Sequence, residues 1–107
     1  MRFSNVIADS ENGTDVHRHV SWMVPADVVF LQFLYSARTA RGEPSIQTPK
    51  TMGLNTGYSR EHASTRAKVL VEHDLVEQLG VGEYRLTEFG ERVLDQEVPL
   101  EELEPDE

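Results

Sequence analysis

The sequence predicts a mainly α domain with one small β-hairpin, an α+β fold, and three observations predict it. Stretches rich in apolar residues follow helix-start signals at Pro25, at Thr48-Pro49 and at Thr87. The string Asn55-Thr56-Gly57, whose residues tolerate positive φ, separates two of those stretches by a tight turn. Gly80-Val81-Gly82 divides two short runs that read as paired strands.

In chain order, residues 1–20 carry no sustained period and include the turn-prone Asp9-Ser10-Glu11-Asn12-Gly13. They are expected to form a loose or partly docked arm. The domain proper is expected over 21–98. Pro25 suits a first helical position, where its missing N–H costs nothing. The first helix is expected from Ala26 to Thr39, with Gly42 to Pro44 breaking it. On its wheel Leu31, Leu34 and Tyr35 lie to one side and Val29, Phe30 and Phe33 to the other, leaving only Gln32 and Ser36 as a polar strip. A helix buried on one side needs an apolar arc of little more than about 100°. The surplus calls for a cover, either the arm around Phe3, Val6 and Ile7 or a second subunit. A homodimer with Val29, Phe30 and Phe33 at the contact is the expectation.

Thr48 is a natural N-cap with Pro49 behind it, opening a short helix through Met52 and Leu54. A third helix is expected from about Tyr58 to about His73. Leu75 to Leu79 alternates as a strand, and Glu83 to Leu86 returns as its partner. Thr87 should cap a last helix carrying Phe89, Val93 and Leu94, which Pro99 stops. Residues 99–107, with Glu101, Glu102, Glu104, Asp106 and Glu107, read as an acidic disordered tail. Helix, short helix, tight turn, helix, hairpin, helix is the plan of a winged helix-turn-helix domain.

Composition narrows the function classes. A chain of 107 residues suits one small domain. No run approaches the roughly 18 apolar residues of a membrane span, and no signal peptide is visible, so a cytoplasmic protein is expected. Without cysteine there is no disulfide, thiolate zinc site or cysteine nucleophile. His17 and His19 lack a third ligand nearby, and His62 and His73 stand about 16 Å apart by helical rise. Neither pair makes a metal site. No nucleophile elbow or phosphate-cradling glycine loop occurs, so neither enzyme activity nor a cofactor is expected.

The net charge of −9 conceals its own distribution. Between residues 38 and 68, Arg38, Arg41, Lys50, Arg60, Arg66 and Lys68 face only Glu43 and Glu61, a local +4. From Asp95 to Glu107 there are seven acids and no base. Acid excess with only two lysines resembles proteins of salt-accumulating cells; an ordinary acidic cytosolic protein is the alternative.

The third helix sits where a winged helix-turn-helix domain presents its helix to a DNA major groove. Ala63, Ala67 and Leu70 recur at inward spacing with Val71 beside them, and Glu61, Ser64, Thr65 and Lys68 lie opposite. Serine and threonine can bond base edges or phosphates, and arginine can read guanine through two bonds. Glu61 could accept from a cytosine amino group or simply steady the helix start. Arg66 lies to one side, a candidate phosphate contact only. The candidate DNA-contacting set is Thr48, Lys50, Thr56, Tyr58, Ser59, Arg60, Ser64, Thr65, Lys68 and Arg85. Arg85, on the hairpin, is either a DNA-backbone contact or a cross-strand partner of Glu77 or Glu83.

Ala63 to Leu70 and then His73-Asp74-Leu75-Val76-Glu77 look like the recognition-helix-into-wing segment of small prokaryotic winged-helix repressors. Trp22-Met23-Val24-Pro25-Ala26-Asp27 and Tyr84-Arg85-Leu86-Thr87-Glu88-Phe89-Gly90 resemble the Trp-Met-x-Pro-x-Asp and Tyr-Arg-Leu/Ile-Thr-x-x-Gly strings of the phage phiH repressor-like regulators of halophilic archaea. The likeness covers about Trp22 to Val98. Asp74 departs from it, standing where glycine is common. The two core alanines replace larger residues, and the arm and tail are extra. The resemblance implies a DNA-binding transcription regulator, expected to repress as a homodimer on double-stranded DNA. The rival reading is a winged-helix protein–protein interaction module with no specific DNA target.

Overall fold

The computed structural model describes residues 20–104. Residues 1–19 of the arm, with its two histidines, Phe3, Val6 and Ile7, therefore lie outside the described residues. The elements are α1 (Pro25–Ser36), α2 (Pro49–Thr56), α3 (Arg60–Glu72), strands β1 (Val76–Gly80) and β2 (Glu83–Leu86), α4 (Glu88–Leu94) and a 3₁₀ turn (Leu100–Leu103). The winged helix-turn-helix order is as expected; the differences lie at element ends and in the tail.

Helix α1 starts at Pro25 without a side-chain cap from Val24. Asp27, three residues on, instead accepts from the Val24 backbone N–H at 3.1 Å, satisfying a donor that the first turn cannot pair. The helix ends at Ser36, three residues before the expected Thr39. Residues 37–39 are recruited into pairing with 43–45: Ser45 N–H donates to Ala37 O, Thr39 N–H to Glu43 O, and Arg38 bridges Pro44. Extended pairing and a further helical turn are mutually exclusive for the same backbone groups.

Thr48 caps α2 by accepting from Thr51 N–H, and Thr51 Oγ1 accepts from Thr48 N–H at 2.9 Å, a capping box built from two threonines. Gly57 ends the helix at φ 87°, in the left-handed region. Close behind it the chain passes so near α2 that a Cβ on Gly53 would stand 2.7 Å from Tyr58 O. That approach makes the turn tight and brings α3 directly onto α2. Ser59 then caps α3, accepting from His62 N–H at 3.0 Å.

The far end of α3 is closed by a Schellman motif. Asp74 N–H donates to Val71 O and Leu75 N–H to Leu70 O, with Asp74 at φ 66°. This explains the departure noted in the sequence: the position takes glycine's conformation, and aspartate is among the few other residues that tolerate it.

Strands β1 and β2 pair antiparallel, with Val76 opposite Leu86, Glu77 opposite Arg85 and Gln78 opposite Tyr84. Gln47, the residue before the α2 cap, exchanges both backbone hydrogen bonds with Tyr84 (2.8 and 2.9 Å). The wing thus gains a one-residue third strand, and the start of α2 is pinned beside it. Thr87 caps α4 by accepting from Gly90 N–H at 2.9 Å.

The core runs from Val20 through the fully buried Phe30, Leu34, Met52, Ala63, Ala67, Leu70 and Leu75 to Tyr84 and Leu86. Burial of this apolar surface is the main term holding the helices together.

Two expectations are corrected by packing. The tail is not disordered from residue 99: Leu103 is buried, and its carbonyl accepts from Trp22 Nε1 at 2.7 Å. Glu104 accepts from both Ser21 N–H and Ser21 Oγ at 2.6 Å, so the end of the described chain is fastened to its beginning. Phe30, expected at a subunit contact, is 0% exposed. Tyr58 covers it at a ring-centroid distance of 5.2 Å and His62 flanks it at 6.2 Å. Much of the apolar surplus of α1 is therefore covered within the chain, by residues just before and inside α3 and by Val93, Leu94 and Leu103.

Candidate nucleic-acid interface

The bridge between Gln47 and Tyr84 decides where the surface groove lies. It sets the first turn of α2 against the wing tip, with the outer face of α3 between them. The result is an open groove of about 790 Å³ lined by Thr48, Pro49, Lys50, Arg60, Glu61, Ser64, Lys68, Gln78, Val81, Gly82 and Tyr84.

Helical spacing puts Arg60, Glu61, Ser64 and Lys68 on one exposed or half-buried stripe of α3, because Ala63, Ala67 and Leu70 take the buried one. The small inner alanines let α3 lie close against its neighbours while its first turn stays exposed. Lys50 reaches the groove from the second residue of α2. Val81, wholly exposed at the wing tip, closes the far side.

The bases divide into two sets. Arg66 is locked by Asp27, Arg85 by Glu77, Arg38 by Glu91, and Arg92 lies 3.8 Å from Glu97. No salt bridge among the described residues engages Arg41, Lys50, Arg60 or Lys68. Three of those four line the groove, against one acid, Glu61.

Six of the ten candidate contact residues stand at or on the groove stripe: Thr48, Lys50, Arg60, Ser64, Lys68 and, exposed just beside it on α3, Thr65. The other four are engaged elsewhere. Thr56 Oγ1 donates to Met52 O at 2.7 Å, closing the end of α2. Tyr58 is half-buried, stacked on His62 at 5.3 Å and packed on Phe30. Ser59 spends its side chain on the cap of α3. Arg85 takes the cross-strand alternative, its Nε 2.9 Å from Glu77 Oε2. Arg66, the lateral phosphate candidate, is held instead by Asp27, whose hydrogen bonds raise its pKa above the ordinary guanidinium value.

Sequence reasoning missed the wing side of the groove, Gln78, Val81, Gly82 and Tyr84. Strand alternation alone could have placed Gln78, but the Gln47 bridge that turns the wing toward α2 has no local signal. It also missed Asp27, the one buried charged residue among those described. Among the described residues no group of three or more His, Asp or Glu side chains could hold a metal ion, and no helix is long and apolar enough to cross a membrane.

A short helix buttressing a second, a tight turn, and a two-stranded wing flanking the exposed face define a winged helix-turn-helix domain. The chain belongs to the winged helix-turn-helix phage repressor family, whose model matches residues 16–106. It is 36% identical over 94 residues to the repressor protein of Halobacterium phage phiH, covering 83% of this chain and 98% of that protein. The resemblance carried by the Trp22–Asp27 and Tyr84–Gly90 strings is borne out. No solved structure gives a significant match.

Proposed function

We propose that this protein is a sequence-specific regulator of transcription, a repressor acting in the cytoplasm, that binds double-stranded DNA by laying α3 in the major groove as a homodimer. The observation that carries the reading is the division of its bases. In a chain of net charge −9, the described cations away from the groove, Arg41 excepted, each lie within salt-bridge distance of a carboxylate, while Lys50, Arg60 and Lys68 converge on one groove without such a partner. An interaction module with no DNA target gives no reason for that arrangement.

Lys50 and Lys68 supply point charges for phosphates on either side of the helix. Arg60, Ser64 and Thr65 reach base edges. Family membership and the relative named a repressor support the regulatory role. For the dimer, Val29 is 37% exposed and Phe33, one turn along α1, is half-buried, so these two remain the candidate contact.

The test is fluorescence anisotropy of the full chain against a randomised duplex pool, with the enriched sequence read out and the complex sized by sedimentation. An inverted repeat carrying two chains is expected. Equal binding of every sequence would overturn the specific reading, and one chain on a single half-site would overturn the dimer.

A further inference from the structure

We propose that Glu61 selects one base of the target site, accepting a hydrogen bond from the N4 amino group of a cytosine in the major groove. The proposal rests on the reading that α3 enters that groove.

Glu61 is an exposed residue in the first turn of α3 and lines the groove beside Arg60 and Ser64. The capping task at the start of α3 is already taken, and an exposed carboxylate in the first turn adds only a small stabilisation through the helix dipole. Ser59 caps the helix through His62 N–H, and no hydrogen bond or salt bridge among the described residues uses the Glu61 carboxylate. Lys50, Arg60 and Lys68 line the same groove, yet none of them pairs with it.

An anion in a groove that receives DNA repels phosphate. It becomes favourable only where it meets a donor. In the major groove, guanine and thymine offer acceptors at their polar positions, and adenine sets its N6 donor next to the N7 acceptor, which would face the second carboxylate oxygen. Cytosine offers the N4 donor with no acceptor beside it on the same base. The carboxylate therefore favours cytosine and penalises the other three.

The test runs the full chain and its Glu61→Gln and Glu61→Ala variants in parallel through selection on a randomised duplex pool, with thermal melting of each protein. The wild type is expected to enrich cytosine at one position per half-site, with discrimination of roughly 5- to 150-fold. Glutamine pairs with adenine through N6 and N7, so Glu61→Gln should move that single position to adenine and leave the others unchanged. Glu61→Ala should lose preference at that position and bind random duplex more tightly. If both variants enrich the wild-type sequence unchanged and only melt earlier, Glu61 serves the helix start and the proposal is overturned. A wild type that enriches no sequence would instead overturn the functional reading itself, and this proposal with it.

Discussion

Arg66 grips the carboxylate of Asp27 at both oxygens, Nε to Oδ1 at 2.8 Å and Nη2 to Oδ2 at 2.7 Å. Asp27 is completely buried, and its carboxylate also receives the Val24 N–H. One side chain thus closes the start of α1 and joins it to the middle of α3, on the side away from the groove stripe. Removing Arg66 leaves the buried Asp27 charge unpaired, which typically costs about 3–5 kcal/mol. Arg66→Ala should show that loss in urea denaturation, and Asp27→Ala a smaller one, because the part-buried Arg66 can turn toward water. The joint change Asp27→Leu with Arg66→Met should recover most of it, because both charges leave together.

The docked C-terminal turn makes truncation costly. Leu103 is buried against the Trp22 region, so Leu103→Ala should destabilise by about 2–5 kcal/mol. Ending the chain at Val98 should lower the melting temperature further, since the Trp22 and Ser21 bonds are lost as well. A truncated chain that melts like the full one would show that the turn contributes nothing to stability.

Asp74 holds the left-handed position of the Schellman motif with a carboxylate at the negative end of α3. Both features favour its replacement by glycine. Asp74→Gly should raise stability by about 1 kcal/mol or less, the relief of strain being partly offset by glycine's freedom when unfolded. Asp74→Val should lower stability, since a β-branched residue resists this φ. Chemical denaturation of the pair reads both signs.

Tyr35 Oη donates to Asp95 Oδ1 at 2.5 Å, tying α1 to the end of α4. That bond, and burial after it, hold the phenol above its ordinary pKa of 10.0. The folded state therefore favours the neutral phenol. Its contribution is whole below pH 10.0 and is lost as pH rises through the folded value. Tyr35→Phe should be less stable than wild type at neutral pH, and the difference should shrink in alkaline denaturation curves.

On the proposed reading of the groove, Arg60 reads a base while Lys50 and Lys68 anchor phosphates. Arg60→Ala should cost on the order of 1–3 kcal/mol at the preferred duplex and relax discrimination at one base pair. Lys50→Ala or Lys68→Ala should weaken all duplexes alike and flatten the salt dependence by roughly one phosphate's worth. Anisotropy titrations at several salt concentrations distinguish the two. Equal losses on random DNA for all three variants would remove Arg60 from base reading.

Local chemistry by itself determined the element order, the side-chain caps at Thr48 and Thr87, the hairpin and the buried stripe of α3. A cap or an i, i+4 repeat acts within a few residues, so its residues carry the information wherever they are folded. The charge pattern also showed a basic stretch between residues 38 and 68. Only the tertiary structure decided which of those bases stay available, because Asp27 and Glu91 reach Arg66 and Arg38 from distant parts of the chain. It likewise covered Phe30 with Tyr58, docked Leu103 beneath Trp22 and turned the wing toward α2 through Gln47 and Tyr84. Each of these is a contact between residues far apart in sequence. It forms because a buried charge or ring must find a partner, and which partner it meets depends on how the helices pack.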